Sequence, residues 1–234
     1  ARGHPVARNP RRYGGYLVHA GIAILFLGVA ASSAFQDQRD VRLSPGESFE
    51  AGGYDITYVR PTAAVGRDSA GTGAPITFGA VLTARRGDDV ETLRPSRNYY
   101  PSQNAEAGPI GRFFEGEATS EADGRGGLRR DLWAAGRPDI AELEPAIREA
   151  DAKFSGSGDD VQAIVIAAIV ERYRRDAPPA TFRAIDSPLV SWIWIGGAIM
   201  ILGALIAIWP SPEARMRRVS SIYAAKLGKE LSRA

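Results

Sequence analysis

The chain has 234 residues, of which 44% are apolar and 24% are charged. This composition excludes a collagen-like or wholly disordered chain. The absence of cysteine excludes a disulfide framework, thiol catalysis and a thiolate metal site. The formal net charge of +2 gives no reason to expect a nucleic-acid partner. Because the sequence begins at Ala1 within a basic stretch and shows no signal-peptide pattern, we expect a fragment of a longer chain.

The first long apolar segment covers residues 13–34, which contain no Asp, Glu, Lys or Arg. A run of about 20 apolar residues is long enough to cross the hydrocarbon core of a membrane as a helix. We therefore predict a transmembrane helix over residues 13–35. It follows a basic segment at residues 1–12 that holds four arginines and no acid.

A second uncharged run, PLVSWIWIGGAIMILGALIAIWP, is more hydrophobic than the first. It has Trp192 and Trp194 near one end and Trp209 at the other. Tryptophan is enriched at the two interfaces of a membrane, so this run predicts a second transmembrane helix over residues 188–210.

The tail at residues 211–234 holds six basic and two acidic residues, with apolar residues at helical spacing. Two interpretations stay open: an amphipathic helix in contact with membrane lipid, or a solvated basic tail. Basic residues beside a span stay in the cytoplasm, so both tails are predicted to be cytoplasmic. Residues 36–187 would then form an extracytoplasmic domain. The predicted fold class is a membrane protein with two transmembrane α-helices flanking a mainly β domain with added helices.

The first half of this domain alternates β-prone stretches with turn residues. The stretches are residues 41–43, 54–59 and 76–93, the last with a turn at Gly87-Asp88. They predict a small antiparallel sheet or open barrel. The segments GRDSAGTGAP and SEADGRGG have no hydrophobic periodicity and are predicted to be turns or mobile loops.

The second half of the domain has helical composition at residues 140–154 and 161–174, with Pro145 starting a helical turn. The apolar core of the second stretch, VQAIVIAAIV, is too short to cross a membrane. It therefore predicts a helix packed on the domain.

No catalytic residue is predicted, because the sequence contains no nucleophile, zinc-protease, phosphate-loop or dinucleotide motif. The acids of the helical region are interpreted as a solvated helix face rather than as an acid–base pair: Asp139, Glu142, Glu144 and Glu149. Asp88-Asp89 and Asp159-Asp160 are interpreted as turn and helix-cap residues.

His19 is the strongest candidate for a cofactor site. It lies about 9 Å inside the first predicted span, and ionisable residues within a membrane are functional candidates. A neutral imidazole is a good axial ligand for haem iron. Gly15 and Ala23, one helical turn to either side, leave room for a flat macrocycle or a neighbouring helix. From spacing alone, haem ligation and a hydrogen bond across helices both stay open.

A second stripe of small residues, Gly14, Gly21 and Gly28, recurs every seven residues along the same segment. Small residues allow two helices to approach closely in a membrane. The stripe therefore predicts a helix-packing surface.

The stretch RRYGGYLVHAGIAILFLGVAASSAF, followed by LSPGESFEAGGYDITYV, resembles the C-terminal region of the CcmF/NrfE family. These are the haem lyase subunits of bacterial cytochrome c maturation. ETLRPSRNYYPSQ, the stretch from GEATSEA to RRDLW, and SPLVSWIWIGGAIMILGALIAIWP resemble later segments of that family in the same order. YGGYLVHAG is the most specific piece, and residues 137–180 carry no motif of the family.

The resemblance implies a multi-pass protein of the bacterial cytoplasmic (inner) membrane with its large domain on the outer face. Such a protein takes haem from a haem chaperone of the CcmE type and assists its covalent attachment to apocytochrome c. Its partners are thiol-handling subunits of the CcmH and CcmI type.

The resemblance also implies that His19 is one of two axial ligands of a haem b. The second histidine and the tryptophan-rich haem-handling segment belong to the family's N-terminal part and are absent from this sequence. We therefore expect this fragment alone to be inactive. Met200 is an on-chain alternative for the second ligand, but the missing histidine is favoured because methionine is more often a core residue.

Two other functions are weighed against this one. The first is a non-enzymatic two-span membrane anchor, or scaffold, that displays an extracytoplasmic binding domain. The second is a sensor without its signalling module. The reading frame upstream of Ala1 would separate the three functions.

Overall fold

The structure, a computed structural model, describes residues 10–66, 75–104 and 107–209, together with Tyr223. It divides into one unit of Ala1–Ala34 and Pro188–Ala234 and a second unit of Phe35–Ser187. Three predictions fall wholly or largely outside the described residues. They are the basic segment 1–12, the amphipathic tail 211–234 and the loop GRDSAGTGAP.

The helices in chain order are α1 (Pro10–Ala34), α2 (Arg112–Glu115), α3 (Glu144–Phe154), α4 (Asp159–Asp176) and α5 (Val190–Ile208), with a 3-10 turn at Ala141–Leu143 before α3. The strands are β1 (Asp37–Leu43), β2 (Ser48–Ala51), β3 (Tyr54–Val65), β4 (Ile76–Arg86), β5 (Asp89–Leu93), β6 (Ser96–Tyr99), β7 (Ala118–Glu121), β8 (Asp123–Arg125), β9 (Arg130–Pro138) and β10 (Ala180–Pro188).

The first unit contains the two predicted spans as helices. Both α1 and α5 are long and apolar enough to cross a membrane. Helix α1 begins at Pro10, three residues before the predicted start. Proline is favoured in the first turn of a helix because its missing N–H would have no partner there.

The second unit is the mainly β domain, built from two sheets. One has the strand order β1-β10-β9-β8, and the other has the order β2-β3-β4-β6-β7, with β5 also paired to β4. The first and last strands of the domain pair antiparallel from Asp37 opposite Asp186 to Leu43 opposite Ala180. The predicted turn at Gly87-Asp88 joins β4 to β5, and its Gly87 has a φ of +60°, which favours glycine.

Two hydrophobic cores hold the domain together. The first core joins the inner faces of the two sheets, where the rings of Tyr58 and Phe182 lie 4.8 Å apart between centroids. The second core packs the helices on the larger sheet, and there Phe78 lies 4.6 Å from Tyr173 of α4. The predicted packing of the helix at residues 161–174 on the domain is therefore confirmed.

The prediction of loops in SEADGRGG is wrong, because β7 and β8 include most of this segment. These strands lack apolar alternation, and polar side-chain contacts add to the backbone pairing of β7 with β6 and of β8 with β9. Asp123 accepts a hydrogen bond from the Arg94 amide at 2.7 Å, and Glu121 accepts one from Asn98 at 3.0 Å. Arg125 forms ion pairs with Asp89 and Glu91.

The acidic pairs are only partly as predicted. Asp88 lies in the β4–β5 turn, but Asp89 begins β5. Asp159 and Asp160 occupy the first turn of α4, where negative charge is favourable, but the cap residue is Gly158.

Candidate functional site

Helices α1 and α5 pack against each other through glycines. The buried residues are Gly14, Gly21 and Gly28 on α1 and Gly196 and Gly203 on α5. Gly14 meets Gly203 and Gly21 meets Gly196, so the two helices run antiparallel. A Cβ added to Gly21 would lie 2.7 Å from the Gly196 carbonyl oxygen, closer than real Cβ atoms approach. The predicted packing surface is confirmed, and its partner is the second apolar helix.

His19 lies on the exposed side of α1, away from this glycine seam. Its Nδ1 lies 2.8 Å from the carbonyl oxygen of Gly15, one turn earlier in the same helix. A carbonyl oxygen only accepts hydrogen bonds, so Nδ1 carries the proton and Nε2 of the neutral ring keeps its lone pair. This tautomer is the one that binds a metal through Nε2 while the other nitrogen orients the ring.

The surroundings of His19 leave space beside the ring. A Cβ added to Gly15 would meet no atom within 4 Å, and Ala23 is exposed. Within the described residues the hydrogen bond of His19 stays in its own helix, and the alternative of a hydrogen bond across helices stays open. The residues present therefore fit axial ligation of a haem iron. The ligand role of His19 itself stays a prediction.

Met200 points to a different place. A Cβ added to Gly21 would lie 2.7 Å from the Met200 Cγ, so this side chain packs over the glycine seam. His19 and Gly21 are about 160° apart around α1 at 100° per residue. In this arrangement the Met200 side chain lies away from His19, which favours a second ligand outside this chain; the identity of that ligand stays a prediction.

The acids of the helical region form surface ion pairs. Glu144 pairs with Arg148 at 3.3 Å and Glu149 with Lys153 at 2.6 Å, each one turn apart on α3. Asp139 lies before α3 and pairs with Arg42 at 2.6 Å, a bond that lowers the pKa of Asp139. No group of three or more His, Asp or Glu side chains that could hold a metal ion occurs in residues 10–66, 75–104 and 107–209.

Asp186 of β10 is a buried acid that the sequence did not indicate. Its side chain is 0% exposed, and Oδ2 accepts a hydrogen bond from Arg130 at 2.5 Å. Within the described residues, Oδ1 has no hydrogen-bond partner. Arg130 also donates to the Gly52 carbonyl oxygen, and a Cβ on Gly52 would overlap the Asp186 carboxylate. Burial raises the pKa of Asp186, more than the neighbouring arginines lower it.

The raised pKa of Asp186 predicts how the stability of the β domain changes with pH. A carboxyl whose pKa is higher in the folded than in the unfolded state favours folding when protonated, and this contribution falls as the pH rises through that interval. Lowering the pH from about 7 to about 4 should therefore increase the stability of the native domain relative to the Asp186→Asn variant. Hydrogen exchange of the β10 amides in both proteins measures the difference. An unchanged difference across this range would contradict the prediction.

The comparisons with known proteins point to one family. No protein-family model matches the chain. The chain is 27% identical over 195 residues to the cytochrome c-type biogenesis protein CcmF of Pseudomonas aeruginosa. The aligned region covers 83% of this chain and 22% of the relative. It is 26% identical over 208 residues to CcmF of Escherichia coli, covering 88% of this chain and 24% of the relative.

A relative named NrfE and a solved CcmF structure are also similar to the chain. The cytochrome c-type biogenesis protein NrfE of Haemophilus influenzae is 23% identical over 198 residues, covering 85% of this chain and 23% of the relative. The structure of the cytochrome c heme lyase CcmF matches 89% of this chain and 26% of its own chain, with a TM-score of 0.52 and 23% identity, which shows a common fold.

The chain thus spans less than a quarter of the length of these curated relatives. Its likeness to each of them covers more than four-fifths of this chain. The predicted resemblance is therefore confirmed: the chain is similar in sequence to CcmF and NrfE proteins of cytochrome c-type biogenesis and shares the fold of part of a CcmF structure, which supports a likeness to the C-terminal region of the CcmF family.

Proposed function

We propose that the chain is the C-terminal part of a membrane haem lyase subunit that acts in cytochrome c maturation. The observation that carries the proposal is the outward imidazole of His19 on an apolar helix, in a chain similar to CcmF proteins. The whole subunit would take haem from a chaperone of the CcmE type and assist its attachment to apocytochrome c. Subunits of the CcmH and CcmI type would handle the cysteine thiols, since this chain has none.

His19 would hold a haem b as one of its two axial ligands. When bound, the haem iron supplies a one-electron redox centre. The hydrogen bond from Nδ1 to the Gly15 carbonyl oxygen would keep the imidazole ring oriented and increase the electron density on Nε2. The second ligand would come from a helix outside this chain, because Met200 packs on the opposite side of α1.

The proposed location is the bacterial cytoplasmic membrane, with both tails inside and the β domain on the outer face. The support is the distribution of charge: bases predominate in both tails, whereas acids outnumber bases in residues 36–187. Basic residues close to a span determine its orientation, and long loops are translocated largely regardless of their charge.

This topology predicts different labelling of two introduced cysteines. Gln103 is exposed in the β domain, and Ser232 belongs to the basic tail. Gln103→Cys should react with an impermeant maleimide on intact cells, whereas Ser232→Cys should react only after the membrane is opened. Equal labelling of both cysteines on intact cells would contradict the topology.

Deleting the β domain tests whether the domain is needed for cytochrome c maturation and whether the helices bind haem b without it. The deletion would remove residues 36–187 from the full-length protein and join α1 to α5 with a short flexible linker. Such a linker can reach because the C-terminal part of α1 and the start of α5 are in contact, with a Cβ on Gly28 3.1 Å from the Leu189 carbonyl oxygen. We expect cytochrome c maturation to be lost while the haem b spectrum is retained.

Maturation and haem binding are measured separately in this deletion variant. Cytochrome c with covalently bound haem is measured by haem staining of cell extracts, and haem b by difference spectra of the purified variant. Normal maturation without the domain would contradict a role of the domain in the reaction. Loss of haem b from a normally inserted protein would show that the domain also supports the haem site.

A further inference from the structure

The β domain contains a cleft of about 330 Å³ in which three arginines meet one acid. Arg97 comes from β6, Arg137 from β9 and Arg183 from β10, and the acid is Asp40 of β1. The cleft therefore draws on strands of both sheets. Its volume is in the range that holds a small ligand group.

The cleft lies where strand β9 continues beyond its pairing with β8. Strand β9 pairs with β8 only through Leu132, Trp133 and Ala134. The next residues of β9, Ala135 to Arg137, line the cleft together with Arg97 and with its cross-strand partner Ser120 on β7. The framework around the cleft is thus β-sheet on both sides, so the arginines project from regular strands.

One of the three arginines is already paired. Arg183 donates to both carboxylate oxygens of Asp40, from Nε at 2.7 Å and from Nη2 at 3.0 Å, and the two residues face each other in the β1–β10 register. This bond is the main cause of the lowered pKa of Asp40, so the acid is ionised at neutral pH. Asp40 therefore neutralises one guanidinium.

The other two guanidinium groups have no such partner. Within the described residues, Arg97 and Arg137 form no ion pair with a carboxylate. The Nε of Arg97 is buried without a hydrogen-bond partner, and its guanidinium lies 5.9 Å from the centroid of the Tyr99 ring. Both guanidinium groups therefore keep donors available for an acceptor that enters the cleft.

We propose that this arginine cleft binds a carboxylate-bearing ligand. A guanidinium presents parallel N–H donors that match the two oxygens of a carboxylate, and the Arg183–Asp40 pair already shows this geometry in the cleft. The ligand's carboxylate would lie between Arg97 and Arg137 and accept hydrogen bonds from their guanidinium groups. The carboxylate can come from an acidic segment of a polypeptide or from a small dicarboxylate.

Binding measurements on the full-length protein in detergent test this proposal. The first probe is a fluorescein-labelled hexaglutamate peptide at low ionic strength, with a hexaglutamine peptide as the uncharged reference. We expect Arg97→Gln/Arg137→Gln to weaken hexaglutamate binding by about tenfold or more, because charge-assisted hydrogen bonds are lost. The matched control is Arg60→Gln/Arg148→Gln, which removes the same charge from exposed positions outside the cleft and should bind like the native protein.

Competition identifies the source of the carboxylate. If succinate displaces the labelled peptide from the native protein, the ligand is a small dicarboxylate. If only unlabelled hexaglutamate displaces it, the ligand is an acidic polypeptide.

The single variant Arg137→Gln, at an exposed position, guards against misfolding and should give an intermediate loss of binding. Equal weakening in the cleft variant and the control variant would overturn the site. Displacement by inorganic phosphate at lower concentration than by succinate would overturn the assignment to carboxylate. Neither outcome bears on His19.

Discussion

Replacing His19 with alanine in the full-length protein is expected to abolish the low-spin haem b spectrum. His19 is the only histidine among the described residues of α1 and α5, and alanine cannot ligate iron. Helix α1 itself should be preserved, because His19 is exposed and alanine is the best helix former. Difference spectra of the purified variant measure the loss, and membrane fractionation shows whether the protein is inserted.

Met200→Leu is the matched control for this result. Met200 packs over Gly21 in the seam between the two helices, and leucine conserves most of its volume. The haem spectrum and the reduction potential of this variant should therefore match those of the native protein. A normally inserted His19→Ala protein with an unaltered low-spin spectrum would remove the haem ligand from this chain. A large shift in potential in Met200→Leu would move the second ligand onto it.

Replacing Gly196 with leucine is expected to separate α1 from α5. A Cβ at this position would lie 2.6 Å from the Leu25 amide nitrogen and 2.7 Å from the Gly21 carbonyl oxygen, and both are backbone atoms. A flexible side chain could move aside to make room for the leucine. The backbone of α1 can do so only if the packing of α1 on α5 through the glycines is lost. Overpacking of this kind costs typically about 1–3 kcal/mol, and here the two helices would have to move apart.

Gly197→Leu is the adjacent control, because a Cβ on Gly197 meets no atom within 4 Å. Crosslinking between one cysteine introduced on α1 and one introduced on α5 measures the pairing of the helices. We expect efficient crosslinking in the Gly197→Leu background and little in the Gly196→Leu background. Equal crosslinking in both would mean that the glycine seam does not determine the pairing.

The helical unit could be predicted from the sequence because its determinants are local. Two uncharged runs of sufficient length indicate two long helices. The seven-residue spacing of Gly14, Gly21 and Gly28 identifies the face that packs, since it corresponds to nearly two helical turns. The sequence did not identify the partner glycines, Gly196 and Gly203. These have the same spacing of seven residues, and that signal was available.

The β domain was predictable only where its strands carry their own pattern. Strands β3 and β4 are rich in β-branched and aromatic residues, whereas β7 and β8 are polar and pair with β6 and β9. Residues 137–180, in which the sequence showed no family motif, supply α3 and α4 and hence much of the second core.

The polar sites of the domain could not be inferred from the sequence because their residues lie far apart along the chain. Asp186 meets Arg130, and the arginine cleft joins residues of five strands. No local spacing brings Arg97 and Arg183 together. An isolated acid in the segment ATFRAIDSP gives no indication that it will be buried, because burial depends on the turn at Gly52.

The pairing of β1 with β10 has a consequence for how the domain folds as it is made. Strand β1 is the first strand of the domain to be synthesised. Its partner β10, which places Asp186 opposite Asp37, is the last. The smaller sheet cannot close until nearly the whole domain has been produced, and such non-local closure is intrinsically slow. Until then the edge of β1 that pairs with β10 in the folded domain is also open, and it can add to a foreign strand. A nascent chain stalled before β10 should therefore be far more prone to aggregate than one stalled after it.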